Sequence, residues 1–284
     1  MSETRILEVV YRVRRFHPEK DEKPYWQEYT IQVEKGATVL DGLHRIRETT
    51  DPTLSYRYSC RMGVCGSCGM LISGKPRLAC NTQIEEVLIQ GNLVTVAPLP
   101  NFDVVKDLVP DLAPLFEKHR AVRPHILREG DALDPEPGTE WLQTPQELDR
   151  YVQFTYCIRC GLCMVACPTF ATDPEYLGPM PLAQAYRYIA DSRDGGFETR
   201  REIAGTAHGA YRCHYAGECS NVCPKGVDPA RAIQLLKREF VLSYLKVIRH
   251  RGKASRSEGP IAGAERKAGV PEAPAYTIEQ KPLT

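Results

Sequence analysis

Eleven cysteines in three tight groups constrain this 284-residue chain more than any other feature. The first group is Cys60, Cys65, Cys68 and Cys80, the second Cys157, Cys160, Cys163 and Cys167, and the third Cys213, Cys219 and Cys223. A disulfide framework belongs to short secreted chains with paired cysteines. Here the count is odd, the chain is long, and Met1 to Leu7 has no apolar core of a secretory signal. Structural zinc takes tetrahedral sets of four ligands, and these spacings do not divide into such sets. Clustered thiols that suit neither role point to iron–sulfur ligation.

The spacing then assigns cluster types. Cys60 to Cys68 reads C-x4-C-x2-C, with Cys80 further on. This is the plant-type arrangement for a 2Fe–2S cluster. Gly63, Gly66 and Gly69 let the loop approach closely and aim amides at sulfur. Cys157 to Pro168 reads C-x2-C-x2-C-x3-C-P, a run whose fourth cysteine ligates the other cluster of a pair. Its partner is Cys213 to Pro224. Aligned from their C–P ends, Cys223 matches Cys167, Cys219 matches Cys163, Cys213 matches Cys157, and Ala216 stands opposite Cys160. Exchanging the last cysteines gives Cys157, Cys160, Cys163 and Cys223 to a 4Fe–4S cluster. Cys167, Cys213 and Cys219 remain, one ligand short, for a 3Fe–4S cluster. A 4Fe–4S cluster with water or another side chain on its fourth iron is the rival for that third site.

The rest of the chain is read by pattern. Residues 6–13 and 27–33, rich in β-branched and aromatic side chains, predict strands. Thr38 is placed to cap a helix carrying Leu40, Leu43 and Ile46. Residues 57–69 read as a loop, and Ser73-Gly74-Lys75 turns a hairpin between Gly69 and Ala79. Val94 to Val96 adds a strand, and Val104–Leu108 suggests a short helical patch. Recurrent prolines from 98 to 137 mark a connector. Thr144-Pro145-Gln146-Glu147 has the form of a capping box, and helical patterns follow around 145–155, 181–191 and 229–248. The expected division is a 2Fe–2S ferredoxin-type domain over 1–110, a connector over 111–143, a helical domain over 144–249 and a charged tail over 250–284. Lys246, Arg249, Arg251, Lys253 and Arg256 make the helix end and the start of the tail basic, the pattern of an ordinary solvated end. The near-cancelling charge, net +1, argues against a nucleic-acid partner bound by bulk charge. No stretch approaches the roughly 20 apolar residues of a membrane span, so the chain is expected to be soluble or peripheral. No G-x-G-x-x-G fingerprint is present, which assigns any flavin to a partner.

With these motifs in hand, the chain resembles the iron–sulfur subunit of succinate dehydrogenase and fumarate reductase over about residues 5 to 248. The resemblance is carried by Ser59 to Gly69, the Cys157 to Pro168 run, and Cys219 to Pro229. It implies an α+β chain, with a β-grasp 2Fe–2S ferredoxin domain followed by an all-α bacterial-ferredoxin-like domain. It further implies a flavoprotein partner carrying FAD, and a membrane anchor, with or without haem b, where quinone binds. Electrons would pass between FAD and quinone through 2Fe–2S, 4Fe–4S and 3Fe–4S clusters. The chain would lie peripherally on the cytoplasmic face of a prokaryotic inner membrane, or on the matrix side if organellar. Pro168, His214, Gln234 and Lys237 match family positions near the quinone. The segment Thr169-Phe170-Ala171-Thr172 lacks the tryptophan many members carry there, which resembles the fumarate-reductase branch. A soluble fumarate reductase with a non-quinone carrier is the alternative reading.

Overall fold

The structure, a computed structural model, describes residues 6–128 and 142–248. The expected tail over 250–284, with Arg249, Arg251, Lys253 and Arg256, lies outside the described residues, as does the 129–141 part of the expected connector.

The first half is a five-stranded mixed sheet with one helix laid across it. β1 (Ile6–Arg15) pairs antiparallel with β2 (Tyr25–Glu34), and Val9, Tyr11 and Val13 alternate inward opposite Ile31, Tyr29 and neighbouring positions. α1 (Val39–Thr49) begins with the cap expected at Thr38. The Thr38 hydroxyl accepts from the Asp41 amide at 3.2 Å, and the Asp41 carboxylate accepts from the Thr38 amide at 2.9 Å. Such a reciprocal cap is worth about 1 kcal/mol. Leu40, Leu43 and Ile46 point into the sheet. Gly42 is obligatory there, because a Cβ would lie 2.1 Å from the Tyr11 hydroxyl oxygen.

β3 (Gly69–Ile72) and β4 (Lys75–Leu78) form the expected hairpin. Its Ser73-Gly74 turn has φ of 45° and 79°, the mirror-image turn that matches strand twist. β5 (Leu93–Ala97) runs parallel to β1 and antiparallel to β3, so the order is β2-β1-β5-β3-β4.

The expected helical patch at Val104–Leu108 is instead a small hairpin of β6 (Val104–Lys106) and β7 (Val109–Pro110). The cause is Asp107. Its buried carboxylate accepts from Arg15 Nε at 2.9 Å, the Phe16 amide at 3.1 Å and the Ser55 amide at 2.9 Å. Those tertiary bonds hold Asp107 at φ 47°, a left-handed value that no α-helix continues through.

The second half is helical. α2 (Ala113–Ala121) occupies the beginning of the expected connector, and Leu115 and Val122 are buried in the helical core. α3 (Pro145–Asp149) starts at the Thr144 capping box, where the Glu147 carboxylate accepts from the Thr144 amide at 2.8 Å. α4 (Val152–Thr155) is a separate turn, not a continuation of α3. Tyr151 breaks the run at φ −135°, buried and bonded to Gln143 and Arg193. α5 (Leu162–Val165) and α6 (Pro168–Thr172) follow.

α7 (Pro179–Ile189) is buried on nearly every side and forms the centre of the half. It packs against α10 (Pro229–Tyr244), which comes after α8 (Phe197–Ala204) and α9 (Glu218–Asn221). Arg200, fully buried on α8, pairs with Asp194 at 2.6 Å and donates to the carbonyls of Arg123 and His125. The two halves share packing: Leu162 and Val165 of the helical half belong to the core of the first half.

Candidate metal centres

The first thiol group is organised by its own loop. Gly63, Gly66 and their neighbours turn the backbone so that its amides face inward. The Gly63 amide donates to Cys80 Sγ at 3.2 Å, and the amides of Val64 and Cys65 donate to Cys60 Sγ at 3.3 Å each. The amides of Met62, Cys65 and Val64, all donating to its Sγ, lower the Cys60 thiol to about 6. Cys68, buried, is pushed up to about 12 by desolvation. The thiols approach in pairs, Cys60 with Cys65 and Cys68 with Cys80. Two pairs of thiols with inward amides fit a two-iron centre, in which each iron takes two thiolates.

The second and third groups interleave. Cys157, Cys160, Cys163 and Cys223 line one cavity, together with Met180 of α7 and Val227. Cys223 comes from the other run, beyond α9, and reaches this cavity as the chain turns toward α10. Burial pushes Cys157 up, Cys160 to about 12 and Cys163 well above its ordinary value, and each of the three faces Cys223. Thiols this reluctant to ionise in apolar surroundings suit cationic iron, which supplies the charge that water cannot. The remaining thiols form their own set: Cys219, raised to about 11 by burial, faces Cys167 and Cys213. None of the eleven cysteines is in a disulfide.

The two runs repeat one backbone conformation. Arg159 and Gly161 have φ of 54° and 82°, and Tyr215 and Gly217 have 62° and 80°. Each left-handed glycine caps a single helical turn, α5 carrying Cys163 and α9 carrying Cys219. Between the matching pairs stand Cys160 and Ala216. The backbone therefore places a methyl group in the third site where the second has a thiol.

The three groups are in contact as a row. A Cβ on Gly66 would lie 2.8 Å from Cys160 Cβ, so the first loop touches the second group. Cys163 faces Cys219 across the boundary between the second and third. Sequence reading missed the Gly66–Cys160 approach, since neither residue signals a contact 94 positions away.

Three of the four positions matched to a quinone border the third group, and the fourth lies one helical turn away. Pro168, exposed, opens α6 directly after Cys167, and His214, exposed, follows Cys213. Lys237 Nζ donates to the Cys213 carbonyl at 2.8 Å. Gln234, one turn earlier on α10, has a buried amide nitrogen with no partner. Tyr176, which sequence reading did not single out, is fully buried and faces Cys167, Cys213 and Cys219. Among the described residues no helix is long and apolar enough to cross a membrane.

Known proteins carry the same parts. Residues 10–117 match the 2Fe-2S iron-sulfur cluster binding domain family, and residues 153–227 match the 4Fe-4S dicluster domain family. The chain is 46% identical over 238 residues to the fumarate reductase iron-sulfur subunit of Mycobacterium tuberculosis, covering 84% of this chain and 95% of that protein. It is 40% identical to the succinate dehydrogenase iron-sulfur subunit of Paracoccus denitrificans, covering 81% and 87%. Among solved structures, a chain of the Mycobacterium smegmatis Sdh1 complex in the apo form superposes with a TM-score of 0.72 at 27% identity, over 85% of this chain and 98% of that one.

Proposed function

Since the chain belongs to the iron–sulfur subunits of succinate dehydrogenases and fumarate reductases, the electron-carrying subunits of those oxidoreductase complexes, we propose that its eleven cysteines divide among three clusters by exchange of the last thiol of each C-terminal run. Cys60, Cys65, Cys68 and Cys80 would hold 2Fe–2S. Cys157, Cys160, Cys163 and Cys223 would hold 4Fe–4S, and Cys167, Cys213 and Cys219 would hold 3Fe–4S. The observation that carries this reading is the gathering of Cys223 into the cavity of the other run, with the remaining three thiols grouped apart.

Filled, the sites would supply one-electron carriers in series between a two-electron flavin and a quinone. The residues of this chain do the rest. Amides of the 60–68 loop offset negative charge on the first thiolates. The close approach of Gly66 to Cys160, with Cys163 facing Cys219, supports the order of the sites. The FAD belongs to a flavoprotein partner, because no dinucleotide fingerprint is present in this chain. Pro168, His214, Gln234 and Lys237 would serve a quinone held between the third site and a membrane anchor; an ammonium and an amide are donors a quinone carbonyl needs. On this reading the chain would lie peripherally on the membrane face that bears its partners.

The test is EPR of the purified complex, reduced with succinate and with a quinol. Three distinct signals are expected, one of them visible in the oxidised state from the three-iron centre. Ala216→Cys should convert that oxidised signal to one seen only on reduction. An unaltered oxidised signal in Ala216→Cys would count against the equivalence of Ala216 with Cys160.

A further inference from the structure

We infer that the Tyr176 hydroxyl is a preset hydrogen-bond donor to sulfur at the third site, one that raises the reduction potential of the cluster held there. The inference rests on the reading of Cys167, Cys213 and Cys219 as the ligands of a three-iron centre.

Tyr176 is 0% exposed and lies in the helical core against which Cys167 and Cys213 pack. No nitrogen or oxygen accepts from its hydroxyl, and the side chain beside it able to do so is the Cys213 thiol. Buried tyrosine hydroxyls normally find one, and leaving one unmade costs free energy that phenylalanine would avoid at nearly the same volume. The groups that face this hydroxyl are Cys213, Cys167 and Cys219. A donor with no oxygen or nitrogen acceptor thus lies in the same pocket as the three sulfurs, with Cys213 as its one hydrogen-bonding neighbour. Those sulfurs are weak acceptors as thiols and much stronger ones as thiolates on iron.

The tyrosine is also held in place. Asp173 accepts from the amides of Glu175 and Tyr176 at 3.0 and 3.3 Å. Lys118 Nζ donates to the carbonyls of Pro174 and Tyr176 at 2.7 and 2.8 Å. Asp173 further accepts from Arg212 Nε at 2.8 Å, and Arg212 directly precedes Cys213. One carboxylate therefore ties the tyrosine backbone to the segment that carries a ligand. A donor so fixed need not reorganise when charge arrives on the sulfur. Reduction makes the cluster more negative, the bond strengthens, and the reduced form is favoured.

The experiment is a redox titration of the assembled, iron-loaded complex, followed by EPR, for the wild type and Tyr176→Phe. The three-iron midpoint should fall in the variant. The expected change is about tenfold in the ratio of reduced to oxidised centre at fixed potential, which is about 59 mV for a one-electron couple. The other two midpoints should stay where they are. An exchangeable-proton hyperfine coupling to the oxidised three-iron signal should be present in the wild type and missing in the variant. An unmoved three-iron midpoint, or an equal shift of all three, overturns the role of Tyr176. A wild type with no three-iron signal overturns the ligand assignment beneath it instead.

Discussion

The first thiol group and the C-terminal pair solve one problem by different means. In the first, Cys60 and Cys65 lie nearer the surface than the buried Cys68 and Cys80, and the amides of a single loop organise the group and lower Cys60 to about 6. In the second, the thiols are placed by helices that meet from distant parts of the chain, and burial pushes Cys160 to about 12. One site is shaped by local backbone, the other by tertiary packing. The difference teaches where each is vulnerable. The loop depends on glycine conformation and amide direction, while the interleaved pair depends on the core around α7 and on one cysteine borrowed from each run.

The most severe test of that contrast is Cys223→Ala. Removing this thiol should abolish the four-iron signal and leave the two-iron signal intact, as read by EPR and iron content of the purified complex. Loss of the three-iron signal with the four-iron signal preserved would mean that each run serves only its own site. Next in size is Asp194→Ala, which strands the fully buried Arg200 guanidinium. A buried charge without its partner costs about 3–5 kcal/mol, read by denaturant titration of the iron-loaded chain. In the first half, Arg15 lies between Asp51 and Asp107. Asp51→Ala, which leaves Asp107 in place, should therefore cost less. Equal losses would erase this distinction between the halves.

Gly66→Ala probes the seam between them. Its Cβ would lie 3.0 Å from the Cys160 backbone at φ +76°. A cost of about 1–3 kcal/mol is expected from the left-handed backbone and the crowding, seen as a lower melting temperature with both the two-iron and four-iron signals perturbed. A change confined to the two-iron signal would show the seam to be loose. The smallest effect concerns pH. In the iron-free chain the Cys60 thiolate is populated above about 6, so its alkylation rate should climb as pH rises through 6 and then level off. Its folded value lies below the unfolded one of about 8.5. The stabilisation it lends the iron-free loop is therefore present above pH 8.5 and fades as pH falls toward 6. Cys68, in the same loop but raised to about 12, should show no plateau across that range. Matching profiles for the two would refute the amide-based ordering of the loop.

Features decided within a few residues were legible in advance. The Thr38 and Thr144 caps, the Ser73-Gly74 hairpin and the alternating strands follow from local chemistry. The spacing that aligns Ala216 with Cys160 has a backbone repeat to match it, with left-handed residues on either side of each. What escaped was decided by distant partners. The Val104–Leu108 stretch reads as a helical patch, but Arg15, Phe16 and Ser55 claim the Asp107 carboxylate. Tyr151 interrupts an otherwise helical pattern because Gln143 and Arg193 hold its hydroxyl. Tyr176 has no sequence signature at all, since its proposed role depends on sulfurs brought to it by folding.

The sharing of Leu162 and Val165 between the cores has its own consequence. These side chains flank Cys163 on the one-turn helix α5, so the same turn that presents a thiol to the second site also plugs the base of the β-sheet half. Grafting either half onto another protein would uncover an oily socket on one piece and two orphaned plugs on the other. Modular as the chain looks on paper, assembly of the sheet and maturation of the second site are coupled events, and a defect in one will register in the other.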